Sequence, residues 1–329
     1  MDEVRKNQLI KLHKDCFHDG DYANFFFEHR IDEQNVFLVE ENGNVLSACY
    51  ARIFDLVLGE KNIRIPFLTG VATNPNYRYQ GHARAVVEKA KDALNKRGYP
   101  FVLLHPFNHD FYRKLGFETI NLVRRLTPTG NVLNGVIVEK MTLANLNVVH
   151  ELYSKLIARN TSYRARTLNE VELLIGYSLE HGGFGYIIRE NGISKGYVWC
   201  EDGNCVEGLA EREELFHSIP LPKGYSIPVL EDGNEDYSMG AVLNLEELLK
   251  VVPYCNDANA SVPFSLAGVN YNLTVEGGNF LSLSTTTENC TPLTEKEIIS
   301  ISLGQGHLKA QNPFENVIPN YNVACFEIY

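Results

Sequence analysis

The sequence predicts a multidomain α+β protein in which mixed, mostly antiparallel sheets alternate with helices. Three observations lead to this fold class. A chain of 329 residues exceeds the usual size of a single hydrophobic core. Strand-like and helical stretches alternate along it, and they include an antiparallel meander over 36–73. Two stretches rich in turn-forming residues, 127–131 and 220–236, divide the chain into three units.

The first unit begins with helical spacing of apolar residues over 3–16. Strand-like runs follow at 36–39, 45–58 and 63–73, and they are separated by turns that contain Asn and Gly. A helix comes next, with an apolar stripe from Ala83 to Leu94, and it ends at Gly98. Shorter strands are predicted at 101–104 and 118–126.

The later units have weaker but readable patterns. The second unit contains a predicted helix near 143–158 and strands at 184–189 and 194–200. The third contains a helix over 245–252, strands at 263–273 and 279–285, and a second helix that begins at Thr294. Glu297 lies three residues after Thr294, which is the spacing of a capping box.

Composition restricts the classes of partner. The formal net charge of −11 disfavours nucleic acid and suits a cationic ligand, although solubility alone also explains an acidic chain. The sequence contains no run of about eighteen apolar residues, so no membrane-spanning helix is predicted. The charged N-terminus lacks the apolar segment of a signal peptide, and the seven cysteines include one close pair, Cys200 and Cys205. We therefore expect a cytoplasmic protein with reduced thiols and no bound metal.

The turn after the third predicted strand can bind an anion. Arg78, Gln80, Gly81 and Ala83 lie where the strand gives way to a helix. The first turn of a helix presents unpaired N–H groups and the positive end of the helix dipole. Glycine permits close approach of phosphate oxygens, and Arg78 adds a permanent positive charge. The sequence predicts a pyrophosphate-binding turn here.

Arg78-x-x-Gly81-x-Ala83 satisfies the phosphate motif Q/R-x-x-G-x-G/A, with Val71-Ala72-Thr73 before it and the block from Phe111 to Phe117 after it. In this layout the chain resembles the GNAT N-acetyltransferases. The length, the third unit and both sequence blocks also resemble the Eis (enhanced intracellular survival) type. That resemblance implies tandem GNAT folds followed by a sterol-carrier-protein-like domain. The corresponding ranges are 1–128 for the catalytic domain, 129–229 for a shortened GNAT-like domain, and 230–329 for the last domain.

The resemblance implies acetyl-CoA as the acyl-donor cosubstrate. The backbone of Val71, Ala72 and Thr73 would bind the pantetheine arm. The resemblance places other residues around the pyrophosphate or the far end of the cofactor: Arg78, Tyr79, Gln80, Gly81, His82, Ala83, Arg84, Phe107 and Asn108. For Arg84, an exposed helix position without a binding role is an equal alternative.

For chemistry, the resemblance assigns Tyr112 as the proton donor to the departing thiolate; its alternative is simple core packing. A phenol suits this role because its pKa lies near that of a thiol. The resemblance assigns the role of proton acceptor to the C-terminal carboxylate, which belongs to Tyr329. The alternative is that the last residues form an ordinary edge strand with no catalytic role. His82, His105 and His109 are less favoured as bases.

The resemblance implies direct attack by a primary amine, and it also implies oligomers. The amine is an aminoglycoside, a polyamine, a lysine or another small amine, and neither nucleic acid nor a membrane is expected as a partner. A non-catalytic protein that binds an apolar ligand or a partner through its C-terminal domain is the alternative from a different functional class.

Overall fold

The computed structural model of the chain describes residues 2–18, 20–201, 203–230, 233–306, 311–321 and 323–325. Within these ranges, no helix is both long enough and apolar enough to cross a membrane.

The first unit has the helices and strands that the sequence predicts. Its helices are α1 (Glu3–Phe17), α2 (Tyr22–His29), α3 (His82–Lys96) and α4 (His109–Arg113). Its strands are β1 (Val36–Glu41), β2 (Asn44–Leu58), β3 (Lys61–Thr73), β4 (Phe101–Leu104) and β5 (Glu118–Leu126). The apolar stripe of α3 is buried, whereas its opposite face is exposed, so hydrophobic burial fixes this helix on the sheet.

The second part of the chain contains one helical segment that the sequence did not predict. It comprises α6 (Leu168–Val171), a π-helical turn (Glu172–Gly176) and α7 (Tyr177–Glu180). The remaining elements are β6 (Val136–Lys140), α5 (Leu146–Ile157), β7 (Ser162–Arg164), β8 (Phe184–Glu190), β9 (Ile193–Glu201), β10 (Asn204–Ala210) and β11 (Ile227–Val229).

The last part contains β12 (Glu235–Val242), α8 (Leu245–Val251), β13 (Ala260–Leu266), β14 (Val269–Glu276), β15 (Asn279–Thr285), β16 (Thr291–Leu293), α9 (Glu295–Ser300) and β17 (Val323–Ala324). Thr294 and Glu297 form the predicted capping box at the start of α9. The single strand predicted over 263–273 is wrong. Ala267 and Gly268 adopt positive φ and turn the chain, so β13 and β14 run antiparallel to each other. An Ala-Gly pair is a weak turn signal, which explains the error.

The largest sheet draws its strands from all three parts of the chain. Its spatial order is β11-β5-β12-β4-β3-β2-β7-β17, and β1 also pairs with β2. β12 hydrogen-bonds to both β4 and β5, while β7 pairs with the end of β2. Strand pairing therefore crosses the predicted boundaries near 128 and 230, and no sequence pattern predicted this sharing of strands.

Two smaller sheets complete the described structure. One has the order β10-β9-β8-β6, and α5 packs on it through Val149, Leu152 and Tyr153. The other has the order β15-β14-β13-β16 and shares a core with α8, α9 and the first part of β3. The large sheet thus has α3 and α4 on one face and the last part of the chain on the other.

Candidate active site

Two neighbouring parallel strands of the large sheet separate at the centre of the molecule. β3 and β4 are paired only at Phe67–Leu103 and Leu68–Leu104. β4 ends at Leu104, whereas β3 continues to Thr73. Among the described residues, the edge of β3 that faces β4 therefore has no paired strand from Thr69 onward. Unpaired strand edges bind extended chains through backbone hydrogen bonds.

A bulge shapes β3 where this separation begins. Gly70 has a φ of +59°, and the register between β2 and β3 shifts between Ala48 and Tyr50. A Cβ atom at Gly70 would lie 2.7 Å from the Tyr50 ring, so only glycine fits without movement. The bulge re-aims the last residues of β3, which include Val71, Ala72 and Thr73. These are the residues predicted to bind the pantetheine arm.

The predicted pyrophosphate-binding turn follows β3 and is exposed. Gly81 is the N-cap of α3 with a φ of +87°, and no side chain caps this helix end. Among the described residues other than its two chain neighbours, no atom lies within 4 Å of the position that a Cβ of Gly81 would occupy. Tyr79 also has a positive φ, +65°, which is uncommon for a residue other than glycine and marks a constrained turn. The uncapped N–H groups of a 15-residue helix fit an anionic phosphate.

The two candidate arginines differ in their contacts. Arg78 folds back toward β3, where its Nε donates to the Thr73 carbonyl at 3.4 Å and its guanidinium lies 3.9 Å from the Cys16 sulfur. Arg84 is exposed and lies 3.7 Å from Glu88 one turn along α3. The Nε2 atom of His82 is buried and has no hydrogen-bond partner among the described residues.

Tyr112 is held by a short capped helix. The Asn108 side chain accepts a hydrogen bond from the Phe111 N–H at 3.0 Å and starts α4. Tyr112 is 7% exposed, and its ring meets those of Phe111 and Phe117 edge-on. Phe107, in contrast, is fully exposed on the loop before α4.

Burial, followed by the nearby Cys49 thiol, raises the pKa of Tyr112 well above its usual range. The close match to a thiol pKa that the sequence argument used therefore does not hold for this folded protein. The hydroxyl retains its proton throughout the physiological range and can donate a hydrogen bond.

A residue from the last part of the chain fixes the position of α4. Arg113 donates to Asp236 of β12 at 2.5 Å and to Glu118 of β5 at 3.4 Å. Because these partners come from separate strands, the orientation of α4 depends on the insertion of β12. The sequence offered no signal for the contact with Asp236, which is 123 positions from Arg113.

A polar cluster surrounds the end of β4. His105 lies against the Tyr237 ring, with 4.6 Å between centroids, and its buried Nδ1 has no partner in the part of the chain that the structure describes. Burial first, and then His109 and Arg125, lower the pKa of His105 to about 4. The imidazole is therefore neutral at physiological pH.

The chain returns to the same place close to its last described residue. The Asn121 side chain donates to the Val323 carbonyl at 3.1 Å and accepts from the Ser238 N–H at 2.7 Å. The Ser238 hydroxyl lies 3.5 Å from the carbonyl oxygen of Cys325. Residues 323–325 are thus buried beside β5 and β12, near the end of β4. The predicted base, Tyr329, lies outside the described residues.

A buried ion pair lies behind this cluster and was missed at the sequence level. Arg166 donates to both oxygens of Glu207, at 2.8 and 3.0 Å, and the Tyr197 hydroxyl also donates to Glu207. Both charged side chains are almost completely buried. The signal was a glutamate within the otherwise apolar stretch from Cys205 to Leu209, because an unpaired carboxylate is rarely placed inside a core.

A cleft of about 200 Å³ lies between α2 and the helical segment 168–180. Phe25 and Tyr177 stack there with 3.8 Å between ring centroids, and the carboxylates of Glu172 and Glu180 line the same cleft. Tyr177 is stacked between Phe25 and His181, so the carboxylates are the groups at this cleft that attract cations. In the described ranges, no three His, Cys, Asp or Glu side chains are grouped as a metal site would require.

Three features characterise this fold: the separated parallel strands, the uncapped start of α3 and the buried Tyr112. Solved structures with a similar fold cover the whole chain. A probable N-acyltransferase from Enterococcus faecalis shares 13% identity and a TM-score of 0.76, with 100% of this chain and 98% of that chain covered. A GCN5-related N-acetyltransferase from Anabaena variabilis shares 16% identity and a TM-score of 0.74, with the same coverage. Eis1 from Mycobacterium abscessus shares 12% identity and a TM-score of 0.70, again with 100% and 98% covered.

At these identities the structural comparisons establish the fold of the whole chain. The family comparison goes further for the first part of the sequence. Residues 1–120 match the family described as "Acetyltransferase (GNAT) domain". This part of the chain is a GNAT acetyltransferase domain, and the protein is by class an acyltransferase. No curated protein matches the chain.

Proposed function

We propose that the protein transfers an acetyl group from acetyl-CoA to a primary amine. The observation that carries this proposal is the separation of β3 from β4 after Leu68 and Leu104, with the exposed start of α3 following β3 in the chain and Tyr112 of α4 following β4. An extended acyl donor with an anionic end requires these features together. Any one of these three features alone would suit many ligands.

The acetyl-CoA, when bound, supplies a thioester whose carbonyl carbon accepts the amine nitrogen. In the proposal, the backbone of Val71–Thr73 orients the pantetheine arm, and the N–H groups of Gly81, His82 and Ala83 bind the pyrophosphate. Arg78 and Arg84 add positive charge near it. Because its pKa lies above that of a thiol, Tyr112 would act by donating a hydrogen bond to the sulfur and stabilising the negative charge that develops there as the carbon–sulfur bond breaks.

We further propose that the α-carboxylate of Tyr329 accepts the proton from the attacking amine. Two observations support it: residues 323–325 are buried, and Asn121 and Ser238 hold them near the end of β4. Four residues of chain then separate Cys325 from the carboxylate, which is sufficient to span more than 10 Å at about 3.3 Å per residue. A deletion of Ile328 and Tyr329 should abolish turnover and leave acetyl-CoA affinity unchanged; full activity would remove Tyr329 from the mechanism.

The acceptor is proposed to be cationic before it reacts. The net charge of −11 and the cleft lined by Glu172 and Glu180 support this class. Both features favour aminoglycosides, polyamines, lysine side chains or other small amines equally. We propose a cytoplasmic location from the N-terminal sequence and the cysteine pattern. The family resemblance is the basis for proposing an oligomeric assembly and a sterol-carrier-protein-like fold for the last part of the chain.

Calorimetry with acetyl-CoA tests the proposal directly. We expect binding in the micromolar range, and failure to bind at hundreds of micromolar would refute the enzyme hypothesis. A panel of amines assayed by thiol release would then identify the acceptor. Binding of acetyl-CoA without release of thiol on any cationic amine would contradict the acceptor class but not the cofactor.

A further inference from the structure

Two cysteine side chains lie in contact within the second sheet, outside the candidate active site. Cys200 of β9 and Cys205 of β10 are direct partners in the antiparallel register of this hairpin. Their sulfur atoms are 2.7 Å apart. A bond between sulfurs is about 2.05 Å long, so less than 1 Å of approach separates the two thiols from a disulfide.

The protein surroundings hold this pair in place. Both cysteines are buried, at 0% and 2% exposure, in an apolar cluster that includes Ile188, Val198 and Leu215. Strand pairing on either side, Asn204 with Glu201 and Glu207 with Trp199, fixes the backbone of the hairpin. The two sulfurs therefore meet without any rearrangement of the fold.

We propose that Cys200 and Cys205 are a two-electron redox site that closes to an intrachain disulfide when a peroxide oxidises the protein. One sulfur attacks an oxygen atom of hydrogen peroxide, the O–O bond breaks, and a sulfenic acid and one water form. The second sulfur then attacks the first, the S–O bond breaks, and a second water leaves. The two thiols lose two electrons and two protons, and the peroxide is reduced to two water molecules.

The site links to a structural feature already described. A bulge in the β9–β10 pairing lies between Cys205 and Glu207, and Glu207 is the buried partner of Arg166. A disulfide would therefore cross-link the hairpin two residues from Glu207, whose charge is costly to bury without Arg166. The hydrogen bond between the sulfurs, followed by burial, raises the pKa of Cys200, so the reactive thiolate is scarce and the disulfide is expected to form slowly.

The full-length protein is oxidised with hydrogen peroxide, denatured in N-ethylmaleimide and digested with trypsin. Cleavage after Lys195 and Arg212 places both cysteines in one peptide, 196–212. We expect most of this peptide to be unlabelled and two hydrogen atoms lighter than the dithiol form. Cleavage after Glu201 should leave its two halves joined until a reductant is added. Labelling of both cysteines, or a bond from either to another cysteine, would overturn the proposal.

Variants give a second, independent measurement. In Cys200→Ser, the sulfenic acid on Cys205 has no thiol to attack it, so dimedone should trap it and no disulfide should form. Cys290→Ser, a matched loss of a partly buried cysteine elsewhere, should leave the yield of oxidised peptide unchanged. If Cys200→Ser fails to fold, the peptide mapping of the unsubstituted chain still decides the question. A disulfide yield in Cys200→Ser equal to that of the unsubstituted chain would contradict the assignment.

Discussion

Replacing Tyr112 with phenylalanine separates the two roles that this residue could have. Its ring is 7% exposed and packs between Phe111 and Phe117, so phenylalanine retains nearly all of the buried surface. We therefore expect Tyr112→Phe to cost about 1 kcal/mol of stability or less. Complete removal of the ring in Tyr112→Ala should cost about 3–5 kcal/mol through the cavity that it leaves.

The expected loss of catalysis is much larger than this loss of stability. A positioned proton donor contributes roughly 100-fold or more to the rate, which corresponds to about 2.7 kcal/mol of transition-state stabilisation. We expect kcat of Tyr112→Phe to fall by about this factor while the dissociation constant of acetyl-CoA changes less than threefold. Thiol release gives the rate, calorimetry gives the affinity, and urea unfolding gives the stability.

The control is Tyr254→Phe, which removes another buried hydroxyl whose hydrogen bond to the Leu249 carbonyl is 2.6 Å long. This change should lower stability by about 1 kcal/mol and leave turnover intact. If Tyr112→Phe retained full turnover, Tyr112 would be a packing residue only, and the proton donor would have to be sought elsewhere.

Three further predictions concern the surroundings of the site. Gly81→Val should weaken acetyl-CoA binding by at least about tenfold, because a side chain strains the positive φ at this position. The control is Gly98→Val, which has a similar φ and equally open space at the other end of α3. It should lower the free energy of unfolding and leave the affinity for acetyl-CoA unchanged. Glu207→Gln should lower the free energy of unfolding by about 3–5 kcal/mol, because the buried Arg166 loses the negative charge of Glu207. Glu213→Gln, in a half-exposed pair with Arg124, should cost less than about 1 kcal/mol, and equal losses would refute the burial argument. The pKa of His105 is about 4 in the folded protein and 6.5 in the unfolded chain, so burial of the neutral imidazole contributes stability above pH 6.5 that is lost as the pH falls toward 4. In His105→Asn, the urea midpoint should therefore depend less on pH between 6.5 and 4. An unchanged dependence of the midpoint on pH would contradict this assignment.

Local patterns predicted much of the first unit and the start of α9 in the last part of the chain. The apolar stripe of α3, the turn residues between the meander strands and the Thr294–Glu297 capping box depend on neighbours a few residues away. Such interactions are written directly into the sequence. Gly81 likewise indicated a turn, because glycine readily adopts the positive φ that the backbone has at this position.

Errors arose where the deciding contacts are distant or the local signal is weak. The turn at Ala267 and Gly268 was missed because only one of its two residues is a turn former. The pKa argument for Tyr112 failed because burial is a property of the folded protein, and it raises the pKa of the phenol.

The sequence by itself predicted the class of protein, and it is also the source of two proposals, the phosphate-binding turn and the role of Tyr112, because all three depend on short, continuous motifs. Only the tertiary structure decided how three parts of the chain share one sheet. It placed β12 between β4 and β5, anchored Arg113 to Asp236, and brought residues 323–325 against Asn121. These contacts join positions more than 100 residues apart. No local propensity encodes such pairs, because their stability arises from burial and hydrogen bonding that exist only after the chain has folded.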